Sequence, residues 1–145
     1  MSRDTGTGAA FKNIVEGVLS SIAPKQNIEL QRGVTVGLKP NGQPNRFDFS
    51  ICRSSNHDIR GLISCRSQST SGSAEEKIPF EVVRMLHTMS ADSRYRRGWI
   101  ILGGNGWSSD LVDFYVGNLN EFIPLMKNKI HILRTDQLLS ASIKV

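Results

Sequence analysis

The sequence has few of the features that define several large classes of protein. Two cysteines, Cys52 and Cys65, are too few for a fold that depends on disulfide bonds. No apolar run approaches the ~20 residues of a membrane-spanning helix, and the opening residues MSRDTGTGAAF lack the apolar segment of a secretory signal. We therefore expect free thiols, a single domain over residues 1–145, no membrane association and a cytoplasmic location.

Acidic residues are also fewer than basic ones. The chain has 13 aspartates and glutamates against 18 lysines and arginines, a formal net charge of +5. A small basic domain attracts polyanions through its long-range field. The hydrophobic share of 39% and the charged share of 21% are those of a globular protein with a packed core. Composition thus allows a nucleic-acid partner without requiring one.

Hydrophobic periodicity in the first half predicts one helix followed by strands. A helix is predicted over Ala9–Ile22, where apolar residues recur every three or four positions, and Pro24 is expected to end it. A polar loop is expected over residues 53–60. The alternating segments around it predict strands at 28–38, 46–52 and 61–68.

In the second half, helical patterns alternate with short apolar runs. After a flexible segment, a helix begins either at a capping box formed by Ser73 and Glu76 or near Ile78, with Pro79 in its first turn. A basic loop is expected over 91–97. The remaining elements are a strand at 99–102, helices at 110–116 and 119–126, a strand at 129–133 and a helix at 135–142. This order predicts an α/β fold, with a mixed central β-sheet flanked by α-helices.

Alternation along the second predicted strand separates an acid from its apolar neighbours. Phe47, Phe49 and Ile51 are expected on one face and Asp48 on the other. These apolar side chains would face the core of the domain. Asp48 would then lie on the opposite face of the strand, together with Ser50 and Cys52.

Polar residues on the third predicted strand complete this pattern. Ser64, Arg66 and Gln68 share a face, and a hairpin with the second strand would bring Asp48 close to Ser64 and Arg66. A carboxylate that holds Mg²⁺ beside a cation suits phosphodiester hydrolysis. An ordinary cross-strand ion pair is the alternative.

Three segments resemble the PD-(D/E)XK nuclease superfamily, and above all its restriction-endonuclease-like members: 46–51, 61–68 and 71–81. In that family an Asp begins the motif, and the next strand carries Glu/Asp-x-Lys, often followed by x-Gln. Asp48 takes the first place, Ser64-Cys65-Arg66 the second, and Gln68 fits the trailing glutamine. The resemblance covers roughly residues 5–140.

The sequence departs from this motif at two positions. Ser64 replaces the second acid, and Arg66 replaces the lysine. A branch of the family has Ser-x-Lys and takes the missing carboxylate from the following helix, which makes Glu81 the candidate and leaves Glu75 and Glu76 as alternatives. Arginine stays charged and is a poor base, although it can clamp a phosphate.

The resemblance implies a Mg²⁺-dependent DNA endonuclease of restriction type that acts on double-stranded DNA as a homodimer. Mn²⁺ is expected to be able to replace Mg²⁺. Asp48 with Glu81 or Glu76 would bind the metal, and Gln68 and Ser64 would orient water or phosphate. The two departures favour an alternative, a catalytically impaired, nuclease-derived DNA-binding protein. An interaction protein without a nucleic-acid role is a third hypothesis.

Basic residues around the cleft are the candidates for DNA contacts: Arg53, Arg60, Lys77, Arg94, Arg96 and Arg97. Glu16 is either an additional acid of the site or, by its i,i+4 spacing, the partner of Lys12. The three histidines, His57, His87 and His131, are not spaced as a metal cluster.

Overall fold

The structure, a computed structural model, describes residues 7–68, 73–104 and 106–145. Short 3₁₀ turns occupy Ser73–Lys77, Pro124–Met126 and Thr135–Ser140. The helices and strands follow in the order α1 (Thr7–Gln26), β1 (Ile28–Leu38), β2 (Pro44–Arg53), β3 (Asn56–Ser67), α2 (Ile78–Ala91), β4 (Tyr95–Gly103), α3 (Ser109–Gly117), α4 (Leu119–Phe122) and β5 (Ile130–Arg134).

The five strands form one mixed sheet in the order β1–β2–β3–β4–β5. The first two pairings are antiparallel and the last two are parallel. Short turns suffice for the antiparallel pairs, whereas each parallel pair needs a crossover. Helix α2 supplies the crossover from β3 to β4, and α3 with α4 supplies the next. The predicted fold class is confirmed.

Helices cover both faces of the sheet. On one face, apolar residues of α1 pack against Trp99 and Ile101 of β4. On the other face, residues of α2 and α3 pack against Ile100 and Leu102. Strand β4 is thus buried on both sides, as its continuous apolar run predicts.

Helix α1 is longer than its periodicity predicts. It runs to Gln26 and includes Pro24, so the prediction that this proline ends the helix is wrong. The helix ends instead before Asn27, whose φ of 57° lies in the left-handed region in which helices commonly terminate. A proline this close to the end interrupts few of the helix's hydrogen bonds.

Two segments predicted as loops belong to strands. Strand β3 begins at Asn56, directly after a tight turn, and β4 begins at Tyr95, so Arg96 and Arg97 lie on a strand. Arg97 pairs with Gly61 across the parallel ladder. The backbone of these strands stays paired beyond the residues whose side chains are buried in the core. The polar composition of the segments therefore does not reveal that they are strands.

Strand β2 does not alternate as predicted at its start. Phe49 and Ile51 pack towards α1, whereas Phe47 packs towards α2. The pairing of β2 with β3 begins only at Phe49, so the two strands separate before it. Asp48 lies at this separation, and its carboxylate accepts a hydrogen bond from the backbone N–H of Cys65 on β3.

The second half also differs at helix ends. Helix α2 begins at Ile78 with Pro79 in its first turn, the second of the two predicted starts. The segments predicted as helices at 119–126 and 135–142 are a short α4 with a 3₁₀ turn and a 3₁₀ turn alone. Thr135, the first residue of this last 3₁₀ turn, donates its hydroxyl to the Leu102 carbonyl at 2.8 Å.

Both cysteines are free thiols. Cys65 is buried and Cys52 is half-buried. Among the described helices, none combines the length and the apolar character that crossing a membrane requires.

Candidate active site

Asp48 is held from two sides where β2 and β3 separate. Its Oδ2 accepts the backbone N–H of Cys65 at 2.7 Å. Its Oδ1 lies 3.0 Å from Nζ of Lys12, which projects from α1. The carboxylate is mostly buried, whereas Lys12 stays partly exposed. Asp48 therefore has a fixed orientation and one open side.

Glu81 comes from the first turn of α2 and points into the sheet. It is 3% exposed. Its Oε2 accepts the Ser64 hydroxyl at 2.5 Å, and its Oε1 accepts an N–H of Arg66 at 2.8 Å. Of the three glutamates considered for the missing carboxylate, Glu81 is the one that bonds to residues of β3.

Arg66 links the two acids. One terminal nitrogen lies 2.8 Å from Glu81, and the other donates to the Cys65 carbonyl at 3.1 Å and lies 4.0 Å from Oδ2 of Asp48. Its side chain is 35% exposed. The guanidinium thus lies among three oxygen atoms from three residues. The structure brings together Asp48, Arg66 and Glu81, which the sequence analysis placed in one site.

Sequence reasoning missed Arg84, the most extensively bonded residue of this cluster. It donates to both carboxylate oxygens of Glu81, at 3.1 and 2.5 Å. It also donates to Oδ1 of Asn45 and to the Arg46 carbonyl, and its guanidinium lies 4.1 Å from the Phe47 ring centre. The spacing of three residues from Glu81 was the available signal, because such pairs meet on a helix.

The surroundings of Glu81 favour its ionised form. Burial acts to raise its pKa, but hydrogen bonds from Arg84, the charges of Arg66 and Arg84, and the Ser64 hydroxyl outweigh burial and lower the pKa below its usual value. The neighbouring Cys65 thiol behaves differently. Burial, followed by the charge of Asp48, raises its pKa to about 12, so it stays protonated at neutral pH.

An open basic hollow adjoins Asp48. It is lined by Lys12, Arg32, Gly33, Arg46, Phe47 and Asp48. The predicted pair of Glu16 with Lys12 is wrong, because Glu16 accepts from Arg32 while Lys12 turns to Asp48. Strand β1 brings a closer cation to Glu16 than its own helix does. The cations Lys12, Arg32 and Arg46 outnumber the one carboxylate that lines this hollow, and this excess of positive charge suits a phosphate backbone.

Gln68 and Glu75, two other candidates from the sequence, bond to the segment that precedes α3. The buried amide of Gln68 donates to the Gly106 carbonyl at 2.8 Å and to Glu75 at 3.4 Å. Glu75 also accepts the backbone N–H of Ser108. Glu76 is exposed, and burial followed by the charges of Glu75 and Glu76 raises the pKa of Tyr115 in α3. These contacts fix the start of α3 beside the end of β3.

The five predicted DNA-contacting arginines lie away from this site. Arg60 is near the start of β3, six residues from Arg66, which is about 20 Å along a strand. Arg94 is paired with Asp92. Of the six candidates, only Lys77, exposed just before α2, lies at the end of the sheet where β3 finishes. The others gather near the opposite end: Arg53, Arg60, Arg94, Arg96 and Arg97.

A family model described as a PD-(D/E)XK nuclease superfamily domain matches residues 5–145. The chain belongs to the PD-(D/E)XK nuclease superfamily. This membership agrees with the mixed sheet and suggests a nuclease with a nucleic-acid substrate, and PD-(D/E)XK nucleases usually use divalent metals. No curated protein sequence matched the chain.

The residues present fit a divalent cation by their chemistry. The carboxylates of Asp48 and Glu81 and the carbonyl of Cys65 all surround the Arg66 guanidinium. Hard cations such as Mg²⁺ prefer oxygen ligands of these types and keep several waters. In this PD-(D/E)XK domain a metal would therefore be held by these three oxygen donors.

Proposed function

We propose that this chain is a Mg²⁺-dependent endonuclease of restriction type that hydrolyses phosphodiester bonds in double-stranded DNA. The convergence of Asp48, Glu81 and the Cys65 carbonyl on the Arg66 guanidinium carries the proposal, because it assembles hard oxygen ligands beside a basic hollow. Mn²⁺ has similar ligand preferences and is expected to replace Mg²⁺. The bound metal would polarise the phosphate and lower the pKa of its water.

The chain's own residues would position the acids and the substrate. Ser64 and Arg84 hold the Glu81 carboxylate in one orientation, and the Cys65 amide does the same for Asp48. A ligand fixed in this way needs no reorganisation when the substrate binds.

Lys12 and Arg66 supply the positive charge next to the site. Lys12 lies 3.0 Å from Asp48 at the edge of the basic hollow, and Arg66 is partly exposed. Both can donate to phosphate oxygens, Arg66 with a planar fork and Lys12 as a point charge. Arginine does not release its proton, so we assign Arg66 to charge stabilisation and not to general base catalysis.

Cleavage of both strands requires two sites, and each chain offers one. A homodimer with twofold symmetry would present two such sites and read a symmetric sequence. We therefore propose a homodimer, which size-exclusion chromatography with light scattering tests directly.

A second candidate function is a DNA-binding protein that no longer cuts. Arg66 at the expected lysine position, engaged with Glu81 at 2.8 Å, favours this alternative. Both candidates predict DNA binding that weakens with salt, because phosphate contacts dominate such affinity.

Cleavage of supercoiled plasmid separates the two functions. The unmodified chain, Asp48→Asn and Arg66→Lys are incubated with Mg²⁺, Mn²⁺ or EDTA. Metal-dependent nicking or linearisation by the unmodified chain, lost in Asp48→Asn, supports the nuclease. DNA binding without cutting by the unmodified chain and by Arg66→Lys supports the binding protein. Cutting by Arg66→Lys alone identifies a site that lacks only its lysine.

A further inference from the structure

The guanidinium of Arg66 lies among the oxygen atoms of Asp48, Cys65 and Glu81. It contacts Oε1 of Glu81 at 2.8 Å and the Cys65 carbonyl at 3.1 Å, and lies 4.0 Å from Oδ2 of Asp48. Two carboxylates and one main-chain carbonyl thus converge on one positive group. These are also the donors that a Mg²⁺ or Mn²⁺ ion would use.

We propose that Arg66 is a built-in competitor of the divalent cation: the ion and the guanidinium exclude each other from the oxygens of Asp48, Cys65 and Glu81. This inference rests on the proposed metal-dependent function and adds a step to it. Binding of the cation turns Arg66 out of the site towards the open side, where it is available to a phosphate.

The two arginines at Glu81 differ in their freedom to move. The side chain of Arg84 is 8% exposed, and it also donates to Oδ1 of Asn45 and to the carbonyl of Arg46. Arg66 is 35% exposed, and its acceptors are Glu81 and the carbonyl of its own neighbour. A partly exposed ion pair contributes little to stability, so a divalent ion can replace it. Arg84 then still holds Glu81 in place.

The competition sets an expected order of affinities for Mn²⁺ alone, without DNA. Arg66→Ala removes the competing charge and should bind Mn²⁺ about tenfold more tightly than the unmodified chain. Arg66→Lys keeps the positive charge but lacks the planar guanidinium, so its affinity for Mn²⁺ should lie between those of Arg66→Ala and the unmodified chain. Asp48→Asn and Glu81→Gln remove ligands and should abolish binding.

Isothermal titration calorimetry with Mn²⁺ measures these affinities, and circular dichroism checks that each variant is folded. Arg46→Ala is the matched control, because Arg46 lines the neighbouring hollow and its loss changes the net charge equally. Tighter binding by Arg66→Ala and not by Arg46→Ala supports competition. Equal affinity in Arg66→Ala and the unmodified chain overturns it, while the metal site stands. If the unmodified chain, Arg66→Ala and Arg66→Lys all fail to bind Mn²⁺ through Asp48 and Glu81, the metal-dependent function is overturned as well.

A second group of potential ligands lies near the other end of the strands. Glu29 of β1 and Cys52 of β2 are direct cross-strand partners, and His57 lies near the start of β3. One ligand atom from each of the three lies within 4.8 Å of the others. A tetrahedral Zn²⁺ ion brings such atoms to within about 4 Å, so partly exposed side chains need to move little.

We infer that Glu29, Cys52 and His57 form a site for a borderline-soft divalent ion such as Zn²⁺ or Co²⁺. Thiolate and imidazole select these ions over Mg²⁺, in contrast to the all-oxygen set at Asp48. The site depends on none of the residues in the candidate active site. The histidine spacing in the sequence gave no indication of it, because the ligands meet across three strands.

Titration with Co²⁺ in the presence of a phosphine reductant tests this site. Binding through Cys52 produces a thiolate-to-cobalt charge-transfer band, which Cys52→Ser removes. Cys65→Ser is the matched control, because Cys65 is the other free thiol and is buried. His57→Ala should weaken Co²⁺ binding at least about tenfold. No band in the unmodified chain, or a band that survives Cys52→Ser, overturns the proposal.

Discussion

Arg84 and Glu81 form a two-bond ion pair within the first turns of α2, and both side chains are almost fully buried. The pair joins the helix to the sheet, because Glu81 also accepts from Ser64 while Arg84 also donates to Asn45. It fixes the carboxylate on which the candidate active site depends.

Removing Arg84 should destabilise the protein strongly. Arg84→Met leaves the charge of Glu81 buried with weaker compensation, and we expect a loss of about 3 kcal/mol in the free energy of unfolding. Urea denaturation measures this loss. The double variant Glu81→Gln with Arg84→Met should lose less than the sum of the single variants, since it removes both charges. A loss below about 1 kcal/mol in Arg84→Met would contradict the prediction.

Lys12 should contribute to DNA cleavage and little to the stability of the fold. Lys12→Met removes a cation beside Asp48, and we expect plasmid cleavage to fall about tenfold or more. Lys25→Met is the control, because Lys25 is exposed in the last turn of the same helix. Initial rates on plasmid DNA give the comparison. Equal rates for the two variants would remove Lys12 from the site.

The lowered pKa of Glu81 predicts acid sensitivity. Because the pKa is lower in the folded state, its contribution to stability is present above the ordinary carboxyl pKa and is lost as pH falls through the folded value. In EDTA, the unmodified chain should lose stability as pH falls below the ordinary pKa of a glutamate, and Glu81→Gln should lose less over the same range. Urea titrations at several pH values measure both. Parallel profiles would show that Glu81 contributes no pH dependence.

Two glycines should respond in opposite directions to alanine. Gly104 has a φ of +86°, and a Cβ there would lie 2.3 Å from the Gln68 carbonyl oxygen, so Gly104→Ala should cost at least about 1 kcal/mol. Gly17 is helical with open space around it, so Gly17→Ala should stabilise by about 0.5 kcal/mol. Thermal denaturation compares the two. Stabilisation in Gly104→Ala would show that the turn does not require glycine.

The structure and the sequence favour different arginines for DNA contact. Arg46 lines the hollow beside Asp48, whereas Arg96 lies on β4 near the opposite end. Arg46→Ala should weaken DNA binding and reduce by about 1 the slope of log affinity against log salt concentration. Arg96→Ala should change neither quantity. Fluorescence anisotropy at several salt concentrations measures both quantities. The reverse pattern would place the DNA at the other end of the sheet.

The order of helices and strands could be predicted because periodicity is a local property. Boundaries were less accurate at Pro24 and at the starts of β3 and β4, where backbone pairing extends a strand beyond its buried residues. The orientation of Phe47 was predicted wrongly because β2 and β3 separate before Phe49, which no local pattern records.

Strand periodicity and short connections impose the α/β fold class and place Asp48 and Arg66 on neighbouring strands, so both features can be predicted from the chain alone. Only the packed fold shows that Glu81 is the acid that meets them and that Lys12 and Arg84 join the cluster. The physical reason is that these contacts depend on how α1 and α2 rotate and pack against the sheet. That rotation is set by the whole core and not by the spacing of any few residues.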